Sequence, residues 1–336
     1  MQDIKIIKTG ALGRITLQRP EVLNSLTPEM LFAIETALST WENDSDIAAV
    51  IIEGEGEKAF CAGGDILKLY KQGMIGNFDY GKKFWKDEYR LNAKIFNYSK
   101  PYIAMMQGFT MGGGVGISCH GSHRIVSETS IIAMPECSIG LVPDVGGSYI
   151  LGQLNNGLGE YLGITGTRMG PADAIYCGFA DKFIPIKHWE RIIRLISETG
   201  EVNEILNKFD EPAPSNGLIE LVPSIIEVMS KKDIFSLEER LAKKAKLTFG
   251  LSSVRKNSPL SMAATSKMLR IPEISKSIEE ALEIEYRFTS RAQETTDFQE
   301  GVRAMVIDKD KSPHWKHNSI KDVTERELSA LLEPIN

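Results

Sequence analysis

The sequence predicts an α/β fold for its first part and a mainly helical region after it. Three observations carry this. Up to about residue 190, short apolar runs alternate with glycine loops and helix starts, the texture of an α/β arrangement. From Leu218 onward glycine becomes rare and helical spacing dominates. Between them lies a polar, proline-containing connection, Asp210-Glu211-Pro212-Ala213-Pro214-Ser215-Asn216-Gly217. The chain is therefore divided into a core, residues 1–200, and a helical C-terminal region, residues 201–336.

Each element has a local reason. In Gly13-Arg14-Ile15-Thr16-Leu17, Ile15 and Leu17 alternate with polar residues, the period of a half-buried strand. Thr27-Pro28-Glu29 starts a helix: a hydroxyl cap, proline in the first turn and an acid at the positive dipole end. Leu31, Ile34, Leu38 and Trp41 follow at helical spacing, and Asn43-Asp44 ends the helix. Ala48-Ala49-Val50-Ile51-Ile52 and Pro101-Tyr102-Ile103-Ala104-Met105-Met106 read as strands buried on both faces. Arg124-Ile125-Val126 and Ile131-Ile132-Ala133-Met134 are two more short strands. Gly112-Gly113-Gly114-Val115-Gly116-Ile117 is a tight loop entering a helix. Ile278, Leu282, Tyr286 and Phe288 place one long amphipathic helix in the C-terminal region. The tail from Asp308 to Lys316 is charged and irregular.

Composition narrows the function classes. Of 336 residues, 42% are hydrophobic and 25% charged, which excludes a mainly disordered chain. No apolar run is long enough to span a bilayer, so no membrane partner is expected. The start, Met1 to Lys8, resembles neither a signal peptide nor an Arg-rich transit peptide. A net charge of −6 disfavours non-specific nucleic-acid binding. Cys61, Cys119, Cys137 and Cys177 form no C-x-x-C pair, so reduced thiols in a cytoplasmic protein are expected. His120 and His123 form H-x-x-H without a third ligand nearby, and no metal site is expected.

Three segments could carry chemistry. In Lys58-Ala59-Phe60-Cys61-Ala62-Gly63-Gly64-Asp65-Ile66, adjacent glycines let backbone amides approach a ligand. The preceding Gly54-Glu55-Gly56-Glu57-Lys58-Ala59 fits the dinucleotide pattern G-x-G-x-x-A. Glu55 and Glu57 would face a pyrophosphate, and Gly63-Gly64 interrupts the required helix, so a nucleotide site is not expected. Gly112-Gly113-Gly114 exposes N–H groups at a helix start; an oxyanion site and close packing on a strand compete equally. The third segment runs from Met134 to Ser148. Here Glu136 and Asp144 lie in apolar surroundings, where carboxyl groups rise in pKa and take acid–base roles. Asp144 also reads as a helix N-cap. Gly116-Ile117-Ser118-Cys119-His120 lacks the final glycine of a serine-nucleophile elbow.

Together these segments resemble the crotonase (enoyl-CoA hydratase/isomerase) superfamily, and more closely its 3-hydroxyisobutyryl-CoA hydrolases. Further matching stretches are Glu88-Tyr89-Arg90-Leu91-Asn92, Ser258-Pro259, Glu285-Tyr286-Arg287, Asp297-Phe298, Glu300-Gly301-Val302-Arg303-Ala304 and Ile307-Asp308-Lys309-Asp310. The resemblance spans nearly the whole chain and implies a spiral of ββα units with a helical C-terminal region. It makes residues 1–200 an acyl-CoA-binding catalytic core covered by residues 201–336. It implies that the N–H groups of Gly64 and Gly113 form the oxyanion hole. Ala62, Asp65 and Ile66 would meet coenzyme A, Glu88 would face the acyl group, and Glu136 and Asp144 would be the catalytic acids. Glu136 as nucleophile and Glu136 as base on water both stay open. Coenzyme A enters as part of the substrate, and no separate cofactor is implied.

The hydratases carry glutamate where this chain has Gly116 and glycine where it has Asp144; both differences point to hydrolysis. The expected activity is therefore release of coenzyme A from 3-hydroxyisobutyryl-CoA, and also 3-hydroxypropionyl-CoA, as in valine breakdown. An enoyl-CoA hydratase or isomerase acting on another acyl-CoA is the alternative. A catalytically silent acyl-CoA-binding protein would be expected to lose Glu136 or carry bulk at Gly64 or Gly113, and this chain does neither. The sequence leaves open whether the C-terminal region covers its own core or a second subunit of a homo-oligomer.

Overall fold

A computed structural model describes residues 2–215, 217–231 and 233–335. Asn216, in the polar connection, lies outside the described residues. The chain forms two compact units, each drawing on several stretches. The first comprises Met1–Gly64, Arg90–Ile132 and Arg168–Ile219; the second comprises Asp65–Tyr89, Ala133–Thr167 and Glu220–Asn336.

The first unit is built on a six-stranded sheet. Its strands are β1 (Ile4–Thr9), β2 (Leu12–Leu17), β3 (Ala49–Gly54), β5 (Tyr102–Met106), β7 (His123–Val126) and β9 (Lys182–Phe183), in that spatial order. β1 and β2 form an antiparallel hairpin, and every later pairing is parallel. β3 and β5 are buried along their apolar runs, as expected for parallel strands covered on both faces. The helix Trp189–Thr199 presents Trp189, Ile192, Ile193 and Ile196 to a core containing Leu12, Ile51, Ile103, Met105 and Ile125. β1 has no counterpart in the strand pattern read from sequence. Its apolar residues are Ile4, Ile6 and Ile7, of which only Ile4 is buried.

Helix α1 (Pro28–Glu42) follows its local signals. Thr27 accepts a hydrogen bond from the Met30 N–H at 3.3 Å, and Met30, Leu31, Ile34, Leu38 and Trp41 are buried. β4 (Ala59–Cys61), β6 (Phe109–Met111) and β8 (Ile131–Ala133) form a second, three-stranded sheet. The G-x-G-x-x-A stretch thus runs from β3 into strand β4 and enters no helix, which removes the dinucleotide geometry.

The second unit is mainly helical. It includes α2 (Ile66–Met74), the first part of α3 (Phe78–Phe96) and, in the C-terminal region, helices such as Pro259–Met268, Ile278–Thr295 and Glu325–Leu332. The Ile278–Thr295 helix buries Ile278, Ala281, Leu282, Ile284, Phe288 and Ala292, and with them the charged Glu285 and the polar Thr289, Ser290 and Gln293. Among the described residues, no helix is long and apolar enough to cross a membrane.

Candidate active site

The first unit holds the two glycine loops side by side. A Cβ at Gly63, whose φ is +113°, would lie 3.4 Å from the Met111 carbonyl oxygen and 3.6 Å from the Gly113 nitrogen. Leu26 bridges Gly64 through a hydrogen bond from its own N–H to the Gly63 carbonyl at 2.9 Å, which does not engage the Gly64 N–H. Gly113 opens the short helix α4 (Gly113–Gly116), and an N–H at a first helical position has no intrahelical acceptor. The packing expected of the glycine triplet is seen at one residue and a helix start at another. Gly114 serves packing, since a Cβ there would fall 2.1 Å from the Cys61 carbonyl oxygen. Gly113 has the free-donor geometry of a helix start. Ala62, of the expected coenzyme A contacts, donates its N–H to the Leu23 carbonyl at 2.9 Å.

The second unit gathers carboxyl groups. Glu88, from α3, is 2% exposed; Glu136 and Asp144 are each 5% exposed; Glu285, from the Ile278–Thr295 helix, is fully buried. Glu136 begins a 3-10 turn, Glu136–Ile139, that follows Pro135. Asp144 is followed by Val145 and Gly146, both in the left-handed backbone region, at φ 54° and 75°. Such a conformation is strained for a β-branched residue, by roughly 1–3 kcal/mol. Asp144 was expected to cap the next helix. Instead Gly146 occupies the cap of α5 (Gly147–Gly152), and the Asp144 side chain accepts a 2.7 Å hydrogen bond from the Tyr89 hydroxyl.

Further contacts hold this arrangement. The Tyr89 hydroxyl also lies 3.1 Å from Thr289 Oγ1, and the Tyr286 ring packs edge-on against Tyr89 at 6.2 Å. The two oxygens of Glu285 accept from the N–H groups of Gly146 (2.8 Å) and Ser148 (3.1 Å), and Oε1 also accepts from the Ser148 hydroxyl. Among the described residues, Glu88 Oε1 and Glu136 Oε2 are buried without a hydrogen-bond partner. An unpaired buried oxygen is expensive to maintain, and a site that receives a polar ligand is a standard reason for one.

Burial dominates the electrostatics. Removal from water holds Glu88 and Glu136 well above the usual carboxyl range, and like charges on Asp144 and Glu285 push further in the same direction. Asp144 is pushed up to about 7 by burial, against the Tyr89 hydrogen bond that favours its charged form. Glu285 is pushed up to about 8 by burial and by Asp144, against its three donors. The group therefore titrates as a coupled set in which the carboxyls cannot all be ionised together. It can offer one ionised member as base or nucleophile and a protonated neighbour as acid.

Other expected residues behave simply. Asp65 caps α2 by accepting from the Lys68 N–H at 3.2 Å, and Ile66 is the first residue of that helix. Gly116 ends α4 and is buried. His123 lies 2.9 Å from both Ser122 Oγ and Asn203 Oδ1. No group of three or more potential ligands capable of holding a metal occurs among the described residues. All four cysteines are buried and none forms a disulfide. Sequence reasoning did not assign roles to Tyr89, Ser148, Glu285 or Thr289. A signal existed for Glu285, a charged residue on the apolar stripe of its helix.

A family model described as enoyl-CoA hydratase/isomerase matches residues 12–332. The 3-hydroxyisobutyryl-CoA hydrolase, mitochondrial, of Danio rerio is 38% identical over 96% of this chain and 87% of its own length. That of Homo sapiens is 36% identical over 98% and 88%. Among solved structures, an enoyl-CoA hydratase from Rhodobacter sphaeroides is 44% identical, with a TM-score of 0.93 over 99% of this chain and 98% of its own. A carnitinyl-CoA dehydratase from Mycobacterium thermoresistibile is 34% identical, with a TM-score of 0.94 over 100% and 98%. The names of these relatives divide between thioester hydrolysis and the addition or loss of water, and every one of them names a coenzyme A compound. With a family model matched over almost its entire length and similar proteins matched nearly end to end, this chain belongs to the enoyl-CoA hydratase/isomerase family.

Proposed function

We propose that this chain hydrolyses the thioester of 3-hydroxyisobutyryl-CoA, and also that of 3-hydroxypropionyl-CoA, to the free hydroxy acid and coenzyme A. The observation that carries this reading is the buried carboxyl cluster, with Glu136 Oε2 unpartnered and Asp144 held by Tyr89. It agrees with the names of the full-length relatives that are 36–38% identical. The N–H groups of Gly64 and Gly113 receive the thioester oxygen. Attack on the carbonyl carbon moves the C=O π pair onto that oxygen, and fixed donors stabilise the charge. The ionised member of the Glu136–Asp144 pair either takes a proton from the attacking water, giving the free acid in one displacement, or attacks directly as a nucleophile, giving a mixed anhydride whose acyl–oxygen bond water then breaks to release the hydroxy acid and return the carboxylate. Collapse re-forms the C=O bond and breaks C–S, and the protonated member gives its proton to the departing sulfur. Glu88 hydrogen-bonds the substrate hydroxyl. Ala62, Asp65 and Ile66 line the approach of coenzyme A.

A second reading, an enoyl-CoA hydratase, is favoured by the name of the solved structure that is 44% identical. Two features oppose it. Hydratases of the family resemblance hold water between two glutamates, and this chain has no side chain at Gly116. Its second acid, Asp144, is held by Tyr89. A free-thiol assay over a panel of acyl-CoAs separates the two. We expect thiol release from 3-hydroxyisobutyryl-CoA, unaffected by EDTA. We expect crotonyl-CoA to inhibit competitively while its enoyl absorbance barely falls. Hydration as fast as hydrolysis would promote the second reading. We further propose a cytoplasmic location, supported by four buried thiols with no disulfide among them; the Danio rerio and Homo sapiens relatives carry the word mitochondrial in their names.

A further inference from the structure

We infer that Glu285 is a positioning residue for Asp144, and that the Ile278–Thr295 helix sets the geometry of the reaction through it. This rests on the hydrolase reading above. Among the described residues Glu285 has one set of hydrogen-bond donors. Both its oxygens face the turn that follows Asp144, accepting from the N–H groups of Gly146 and Ser148 and from the Ser148 hydroxyl. When ionised, a carboxyl group accepts all three donors without offering a hydrogen of its own, and when protonated it still has lone pairs for them. The turn needs holding, because Val145 lies in the left-handed region that a β-branched side chain disfavours. One helical turn further on, Thr289 meets the Tyr89 hydroxyl that donates to Asp144. A single helix therefore fixes Asp144 twice, through its following backbone and through the hydroxyl on its side chain. Tyr286, next to Glu285, packs on the same Tyr89 ring.

Glu285 touches no reacting atom in this scheme. Its action on the rate is transmitted through Asp144, which gives a test that a purely structural residue would not pass. Glu285→Gln keeps the shape but turns an amide NH2 toward a backbone N–H. We expect kcat to fall by about 10- to 100-fold, the scale of a small misplacement of a reacting group, with KM changed less than about threefold. In an Asp144→Asn background the same substitution should lower kcat by less than about twofold, because coupled residues are not additive. Equal losses in both backgrounds, or no loss in the first, would overturn the inference. Should Glu285→Gln fold poorly, Ser148→Ala removes one donor alone and should show a smaller loss with the same dependence on Asp144. Hydrogen exchange provides a readout independent of turnover. In Glu285→Gln the amides of Gly146 and Ser148 should exchange about tenfold faster or more, with β3 and β5 unchanged. If the wild-type chain releases no coenzyme A, the hydrolase reading fails while exchange still decides the clamp; unaltered protection at Gly146 and Ser148 would refute it.

Discussion

The two regions assigned to chemistry are built from opposite materials. In the sheet-based unit the assigned groups are backbone N–H donors at Gly64 and Gly113, on loops whose neighbouring glycines allow close approach. They carry no titratable side chain, so their contribution is insensitive to pH. In the helical unit the groups are side chains, Glu88, Glu136 and Asp144, buried and mutually repelling. Their state depends on pH, on burial and on each neighbour. A donor pair fixed by backbone is robust and unspecific. A carboxyl cluster is tunable, and it weakens the fold at the pH at which it works.

The largest expected effect breaks the side-chain half. Glu136→Gln retains volume and removes the acid–base or nucleophilic group, so kcat should fall by about 10²- to 10⁴-fold. Coenzyme A binding, measured by calorimetry, should persist; near-normal turnover in the folded variant would remove Glu136 from the reaction. The backbone half can be tested by one proline. Gly113 is the first residue of α4, a position where proline fits helix geometry while deleting the N–H. If circular dichroism shows a native fold, Gly113→Pro should lower kcat by about 10²- to 10³-fold, the value of one oxyanion donor. Unlike the carboxyl variant, it should leave the shape of the pH–rate profile unchanged.

A smaller effect concerns specificity. Glu88→Ala should shrink the preference for 3-hydroxyisobutyryl-CoA over isobutyryl-CoA by the worth of one buried polar pairing, roughly 1–3 kcal/mol. The ratio of kcat/KM values for the two substrates measures it directly, and an unchanged ratio would move hydroxyl recognition elsewhere.

The last prediction joins function to stability. A carboxyl whose folded pKa is raised binds its proton more tightly in the native state. Its contribution is fully present below the unfolded pKa, near 4, and is lost as pH rises through the folded pKa. For Asp144 and Glu285 that window runs from their ordinary values of 3.8 and 4.5 to about 7 and about 8. Thermal stability should therefore decline between about pH 4 and pH 8, while turnover, which needs one ionised carboxyl, rises through about 7. Glu136→Gln should melt higher than wild type at pH 8, since burial and the neighbouring carboxyls oppose the charge that glutamine does not carry. Scanning calorimetry at pH 5 and pH 8 gives the comparison; an equal melting temperature for the two chains at pH 8 would show that the cluster stores no such strain.

What the sequence by itself determined was local. The capped helix at Thr27, the doubly buried strands at Val50 and Ile103, and the long helix beginning at Ile278 all follow from periodicity and end signals that act within a few residues. The glycine loops and the acids in an apolar stretch marked the chemistry, and the resemblance assigned it roles. Only tertiary structure decided how Asp144 is used. Read locally it is a helix cap; in the fold its partner is Tyr89, and the turn after it is held by Glu285, with Gly146 and Glu285 139 residues apart. The physical reason is that burial and like-charge repulsion, which fix the protonation of these carboxyls, are sums over neighbours in space. Chain order carries no such sum, so the clamp on Asp144 could be read only after Glu285, Tyr89 and the Gly146–Ser148 turn had been brought together.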